Sequence, residues 1–141
     1  MLMRTGNSWV VNPLYTILFY AWMALISYLS LTSMDDLDLD GPDIPHFDKV
    51  VHFGIYATTM VLGALYIRER FRNRVKMGPS LRWMALALLL YGTIVEVLQA
   101  AVGQDRSAEW GDLAANAAGI GIGWWFSRWL FRRWEALNWA D

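Results

Sequence analysis

Four stretches of about 20 predominantly apolar residues, at 14–33, 48–67, 81–102 and 112–131, divide the chain. Each is long enough to cross a hydrocarbon core about 30 Å thick. No water reaches the backbone inside lipid, so such stretches must be helices that satisfy their own hydrogen bonds. The sequence therefore predicts an all-α polytopic membrane protein, a bundle of four transmembrane helices forming a single domain over residues 1–141. Composition agrees, with 56% hydrophobic and 18% charged residues, respectively above and below the soluble norm. The chain has no cysteine, which excludes disulfides and thiolate chemistry. A formal net charge of -1, with charges segregated along the sequence, offers no basic face to nucleic acid. The first stretch is too long for a signal-peptide core and no small-residue cleavage site follows it, so it is expected to be retained.

Local signals set the expected helix ends. Asn12 as a cap with Pro13 at the first helical position starts the first helix, and Gly78-Pro79-Ser80 reads as a stop, a break and a cap before the third. Loop charges give an orientation. The second connection carries Arg68, Arg70, Arg72, Arg74, Lys76 and Arg82 against Glu69, and the tail carries Arg128, Arg132 and Arg133. Those parts are expected in the cytoplasm, with both termini inside. The first connection holds Asp35, Asp36, Asp38, Asp40 and Asp43 without a basic residue, and the third holds Arg106 between Asp105 and Glu109. Those loops are expected to face outward. Trp83, Trp124, Trp125 and Trp129 fall toward inner ends and Trp110 toward the outer, as an interfacial belt requires, and the tail through Trp139 is expected to lie at the interface.

The charged and amide residues inside the spans fall near the outer ends. Asp48, His52 and Tyr56 share a helical stripe by their spacing of four, Glu96 and Gln99 another by their spacing of three, and Asp112 and Asn116 a third. At about 1.5 Å rise per residue, His52 lies roughly 6 Å below Asp48 and Asn116 roughly 6 Å below Asp112. The three stripes are thus expected to meet in one polar pocket open to the outside, with Lys49 and Arg106 at its mouth. Asp48 and Asp112 also stand where a carboxylate caps a helix start, and Asn116 also suits a plain interhelical hydrogen bond. His52 and Glu96 are harder to explain structurally. Glu96 sits toward the C-terminal end of its helix, where the dipole disfavours negative charge, and ionisable groups at membrane depth are expensive. A His and Glu pair suits acid-base chemistry, and a structural ion-pair network has the same composition.

Other patterns point less far. One imidazole with several carboxylates suits a divalent cation, but the spacing matches no closed zinc pattern, so spacing assigns no metal site. Asp36, Asp38, Asp40 and Gly41 reproduce the first half of a calcium loop, while Phe47 stands where the bidentate acid belongs. A solvated acidic loop is the expectation there. Ala115, Gly119 and Gly123, four apart, form a small-residue seam that is expected to pack within the monomer. No Gly-rich phosphate loop, nucleophile elbow or serine triad occurs in the sequence.

Taken in order, these residues resemble the VanZ-like family of small bacterial membrane proteins, from about Asp48 to Gly123. The stretch Asp48-Lys49-Val50-Val51-His52-Phe53 with Tyr56 is similar to the family's opening motif. Glu96-Val97-Leu98-Gln99 is similar to its ExxQ segment, and Arg106, Asp112, Asn116 and Gly119 fall where its later signature stands. The founding member is associated with low-level resistance to the glycopeptide teicoplanin. The resemblance therefore implies a multi-pass protein of the bacterial cytoplasmic (inner) membrane acting at the cell envelope, with glycopeptide resistance as the associated role. The expected ligand is a cell-envelope amphiphile, a lipid-linked wall precursor or a lipoglycopeptide, met by Asp48, Lys49, His52, Tyr56, Glu96, Gln99, Arg106, Asp112 and Asn116. A membrane-embedded hydrolase or transferase, with His52 as base and Glu96 as acid, and a non-catalytic assembly subunit are the rival expectations. Cofactor and oligomeric state stay open at this point; membrane lipids are expected partners and nucleic acid is not.

Overall fold

The computed structural model describes residues 2–5, 8–11, 13–32, 46–102 and 110–139. Among them are two short antiparallel strands, β1 (Leu2–Thr5) and β2 (Ser8–Val11), which no sequence signal had indicated. Four helices follow, α1 (Leu14–Leu31), α2 (Phe47–Phe71), α3 (Met77–Val102) and α4 (Trp110–Arg133), then a 3₁₀ turn at Glu135–Leu137. Asn12, the acidic segment 35–43, Arg106 and Ser107 lie outside the described residues. Among the described helices α1, α2 and α3 are long and apolar enough to cross a membrane. The fourth expected span, α4, is as long but less apolar. Its Gly119 and Gly123 serve close packing against α2.

The basic residues at the expected second connection are partly helical. Arg68 and Arg70 belong to the last turn of α2, where cations meet the negative dipole end, and Arg82 belongs to α3. Gly78-Pro79-Ser80 does not precede α3 but lies in its first turn. Proline is tolerated there because its missing N–H would have had no helical acceptor. Ser80 Oγ–H donates to Lys76 O at 2.7 Å instead of capping.

Three long-range contacts place α1 antiparallel to α2 and at the side of α3. At its start, Pro13 makes no side-chain cap. The free amides are taken by Glu69 of α2, whose carboxylate accepts from Tyr15 N–H at 3.2 Å, Thr16 N–H at 2.8 Å and Thr16 Oγ1–H at 2.8 Å. Midway, Trp22 Nε1–H donates to Thr59 Oγ1 at 2.9 Å. Further along, the Ser27 and Tyr91 hydroxyls are 2.8 Å apart. Most of α1 remains exposed, as expected of a helix that faces lipid.

The closest pair is α2 and α4. They run parallel at a nearly constant register, with Lys49 beside Asp112, His52 beside Asn116, and Gly119 and Gly123 against the backbone of Phe53 and Ala57. A Cβ on Gly123 would lie 2.6 Å from Ala57 O and 2.8 Å from Met60 Cβ, and one on Gly119 would overlap Phe53 O. The small-residue seam thus joins two helices of one monomer. Below it Met60, Ala64, Leu81, Leu88, Ile120 and Phe131 form the apolar core.

At the opposite end the chain closes on itself. Buried Arg68 donates through Nη2 to Ala136 O at 3.0 Å and Asn138 O at 3.3 Å. Trp139 is buried, donates through Nε1 to Val75 O at 3.1 Å, and packs edge-on against Phe131 with centroids 5.6 Å apart. The basic ends of α2 and α4 are therefore neighbours, away from the polar residues at the helix starts.

Candidate functional site

The first two turns of α2, the last turns of α3 and the first two turns of α4 converge at one end of the bundle. Antiparallel α3 and parallel α4 bring a helix C-terminus and two helix N-termini to the same level. The side chains gathered there come from 52, 96, 112 and 116, of which only Asp112 and Asn116 share a helix. His52 Nδ1–H donates to Asn116 Oδ1 at 3.1 Å, and Glu96 Oε1 lies 3.5 Å from the same nitrogen. One ligating atom from each of His52, Glu96 and Asp112 lies within 4.8 Å of the other two.

Burial grades the cluster. Glu96 is 5% exposed and Asn116 2%, whereas the side chains of His52 and Lys49 retain 25% and 26%. The floor is therefore dry and the approach wet, which strengthens electrostatic contacts at the floor. Lys49 Nζ–H donates to Asp48 Oδ2 at 2.9 Å and to Asp112 Oδ1 at 3.3 Å. The aliphatic stem reaches Asp112 because Gly111 leaves the first turn of α4 bare; a Cβ there would press into Lys49 Cε. Asp48 is exposed and stands in the first turn of α2, which is entered through His46 in the left-handed region, φ 62°, with no side-chain cap from His46 itself.

The remaining expected site residues stand elsewhere. Tyr56 is buried in the apolar cluster beside Tyr91, one turn below His52. Its ring occupies the space that Gly92 leaves, where a Cβ would come within 2.9 Å of the hydroxyl. Gln99 turns toward α1, donating through Nε2 to Ser30 O at 2.8 Å. Glu96 and Gln99, three positions apart, are offset by about 60° on their helix, enough for one to face α2 and the other α1. Arg106 lies outside the described residues. Sequence reasoning missed Gly111, whose only signal was its place beside Asp112, and Glu69, whose acceptor role depends on tertiary contact with α1.

An apolar groove of about 370 Å³ runs between α2 and α4, lined by Ala57, Val61, Ile122, Trp125 and Phe126 among others. It lies away from the cluster: His52 and Val61, nine residues apart at about 100° per residue, point to opposite sides of α2. The polar cluster thus faces α3, while the groove faces the outside of the bundle.

Comparison with known proteins adds one finding. A family model described as VanZ/LLP1 matches residues 3–132. No curated protein and no solved structure matches the chain.

Proposed function

The chain belongs to the VanZ/LLP1 family, and from that premise we propose that its polar end binds the anionic head group of a cell-envelope amphiphile, such as a lipid-linked wall precursor or a lipoglycopeptide. The observation that carries this reading is the buried Glu96 carboxylate 3.5 Å from His52 Nδ1. Structural register alone rarely justifies the cost of such groups at membrane depth. Lys49 meets the anion at the mouth, aided by the amino ends of α2 and α4, and Arg106 of the third connection is its second cationic partner in this reading. His52, Glu96 and Asn116 form the floor. The carboxylates offset part of the positive charge, so the site discriminates among anions rather than collecting them. Through such binding the protein would lower the action of glycopeptides on the envelope.

In this reading the protein sits in the cytoplasmic membrane with the polar end outward and both termini inside. The basic ends of α2 and α4 and the basic connection from α2 to α3 support that orientation. The missing cysteines make the test clean. Single cysteines replacing His46 and Ser107 should react with an impermeant thiol reagent in intact cells, and one replacing Asn73 should react only after lysis. The reverse pattern would invert the orientation and place the polar end in the cytoplasm.

Binding is tested with full-length protein in nanodiscs and a lipid carrying a pyrophosphate head group. His52→Ala and Glu96→Gln should each weaken binding at least tenfold, about 1.4 kcal/mol, with the melting temperature within a few degrees of wild type. Equal affinity in all three proteins would contradict the assignment. The same contact favours a second reading, a hydrolase or transferase in which His52 takes a proton and Glu96 gives one. Product formation by the wild type, lost in both variants, separates turnover from binding.

A further inference from the structure

We infer that His52, Glu96 and Asp112, with the Asn116 carboxamide, form a divalent-cation site of the zinc or manganese class, for which Lys49 is the built-in competitor. The inference rests on the reading that this polar end is the ligand site, and it names what links the protein to an anionic head group.

The donor set is drawn from three helices. Ligating atoms of His52, Glu96 and Asp112 all fall within 4.8 Å of one another. Tetrahedral donors about 2.0–2.2 Å from a common ion lie about 3.3–3.6 Å from one another. His52 Nδ1 and Glu96 Oε1 stand at 3.5 Å already, and rotation of the Asp112 side chain by up to about 1.5 Å closes the shell. A neutral imidazole and two carboxylates are a donor set of formal charge about -2, matched to a divalent ion, and Lys49 already offsets part of the Asp112 charge. Calcium and magnesium take oxygen shells, whereas an imidazole among carboxylates suits zinc or manganese. On zinc the three charged or imidazole donors leave a fourth position for a phosphate oxygen, and on six-coordinate manganese such a position remains even with Asn116 Oδ1 bound.

Asn116 supplies an independent sign of a ligand. It is 2% exposed, its Oδ1 reaches into the cluster beside His52 Nδ1, and its buried Nδ2 has no hydrogen-bond partner among the described residues. Buried amide donors are rarely left so. A phosphate oxygen or water carried by the ion would accept from it, while Oδ1 joins the shell. Ion binding also moves the imidazole proton to Nε2, the tautomer opposite to the one that now donates to Asn116.

Lys49 opposes the ion. Its ammonium lies 3.3 Å from Asp112 and 2.9 Å from Asp48, so it holds Asp112 with one positive charge where the ion would bring two. Exchange releases the lysine toward the mouth, where its charge meets the head group. The exchange gives Lys49 a signature that a merely structural salt bridge lacks, since its removal should improve cation binding.

The test uses the full chain in nanodiscs, stripped with a chelator and titrated with zinc chloride, with manganese followed by electron paramagnetic resonance. The expected result is one zinc per chain, at least tenfold weaker binding in Glu96→Gln and Asp112→Asn, and binding about tenfold tighter in Lys49→Met. A gain of affinity cannot come from misfolding, so Lys49→Met keeps the test decisive if the acidic variants fail to fold. No stoichiometric uptake of either metal, or equal affinity in wild type, Glu96→Gln and Lys49→Met, overturns the cation site. Head-group binding that persists in chelator without metal uptake removes the cation and leaves the proposed function. Stoichiometric metal uptake without any lipid binding does the reverse.

Discussion

Replacing Gly119 by valine should separate α2 from α4 and abolish ligand binding. A Cβ at this position would overlap Phe53 O and lie 3.1 Å from Ala57 N. Both are backbone atoms, so neither can rotate aside, and α4 itself must move. Overpacking a close helix seam costs about 3 kcal/mol or more when the backbone has to yield. The seam lies three residues from Asn116 on α4, so the displacement reaches the polar cluster directly. Gly121 is the control, because nothing stands within 4 Å of a Cβ built there. Gly121→Val should fold and bind as wild type. The comparison is read from retention on a sizing column and from pyrophosphate-lipid affinity; equal behaviour of the two variants would show that α2 and α4 do not meet along this seam.

The next largest effect is expected at the opposite end. Arg68→Met keeps the aliphatic stem but removes the donors to Ala136 O and Asn138 O. A hydrogen bond from a charged donor contributes about 1.5–3 kcal/mol. The discount is substantial, since Ala136 and Asn138 are exposed and their carbonyls can rehydrate. Arg68 Nε also has no partner among the described residues, so its removal relieves one buried donor. A net loss of about 2 kcal/mol follows, confined to the closure around Trp139. Limited proteolysis should cut the Arg68→Met variant between α4 and Trp139 many times faster than wild type, while ligand affinity changes little. A cleavage rate like that of wild type would mean that Trp139 alone holds the segment.

Much of the helical frame was legible because lipid permits few alternatives. The apolar stretch starting at Leu14 is α1, and the stretches around His52 and Glu96 lie within α2 and α3. The start of α3 was displaced because Gly78-Pro79-Ser80 carries stop signals that a first helical turn also tolerates. The positive-inside count treated Arg68 as a loop charge, yet it is a buried donor, since charge counting cannot see which chain end folds back. Spacing grouped Asp48 with His52 and Asp112 with Asn116, each within one helix. The common depth of these residues and Glu96 predicts that they meet, but neither spacing nor depth could show that Gln99 would turn to Ser30 while Glu96 turned to His52. Those are choices of helix rotation, fixed by Gly119 and Gly123 on one side and by the Tyr56 and Gly92 contact on the other.

The central claim is that the imidazole on α2 and the carboxylate on α3 face one another inside the bundle. It can be tested in native membranes with paired cysteines at 52 and 96, treated with a short bifunctional thiol reagent and cleaved at Met60, Met77 and Met84, which lie between them. The 52 and 96 pair should leave the flanking fragments covalently joined. A pair at 52 and 97 should not, because Val97 is 59% exposed on the outer side of α3. Joining at 97 with none at 96 would turn Glu96 away from His52 and contradict the account.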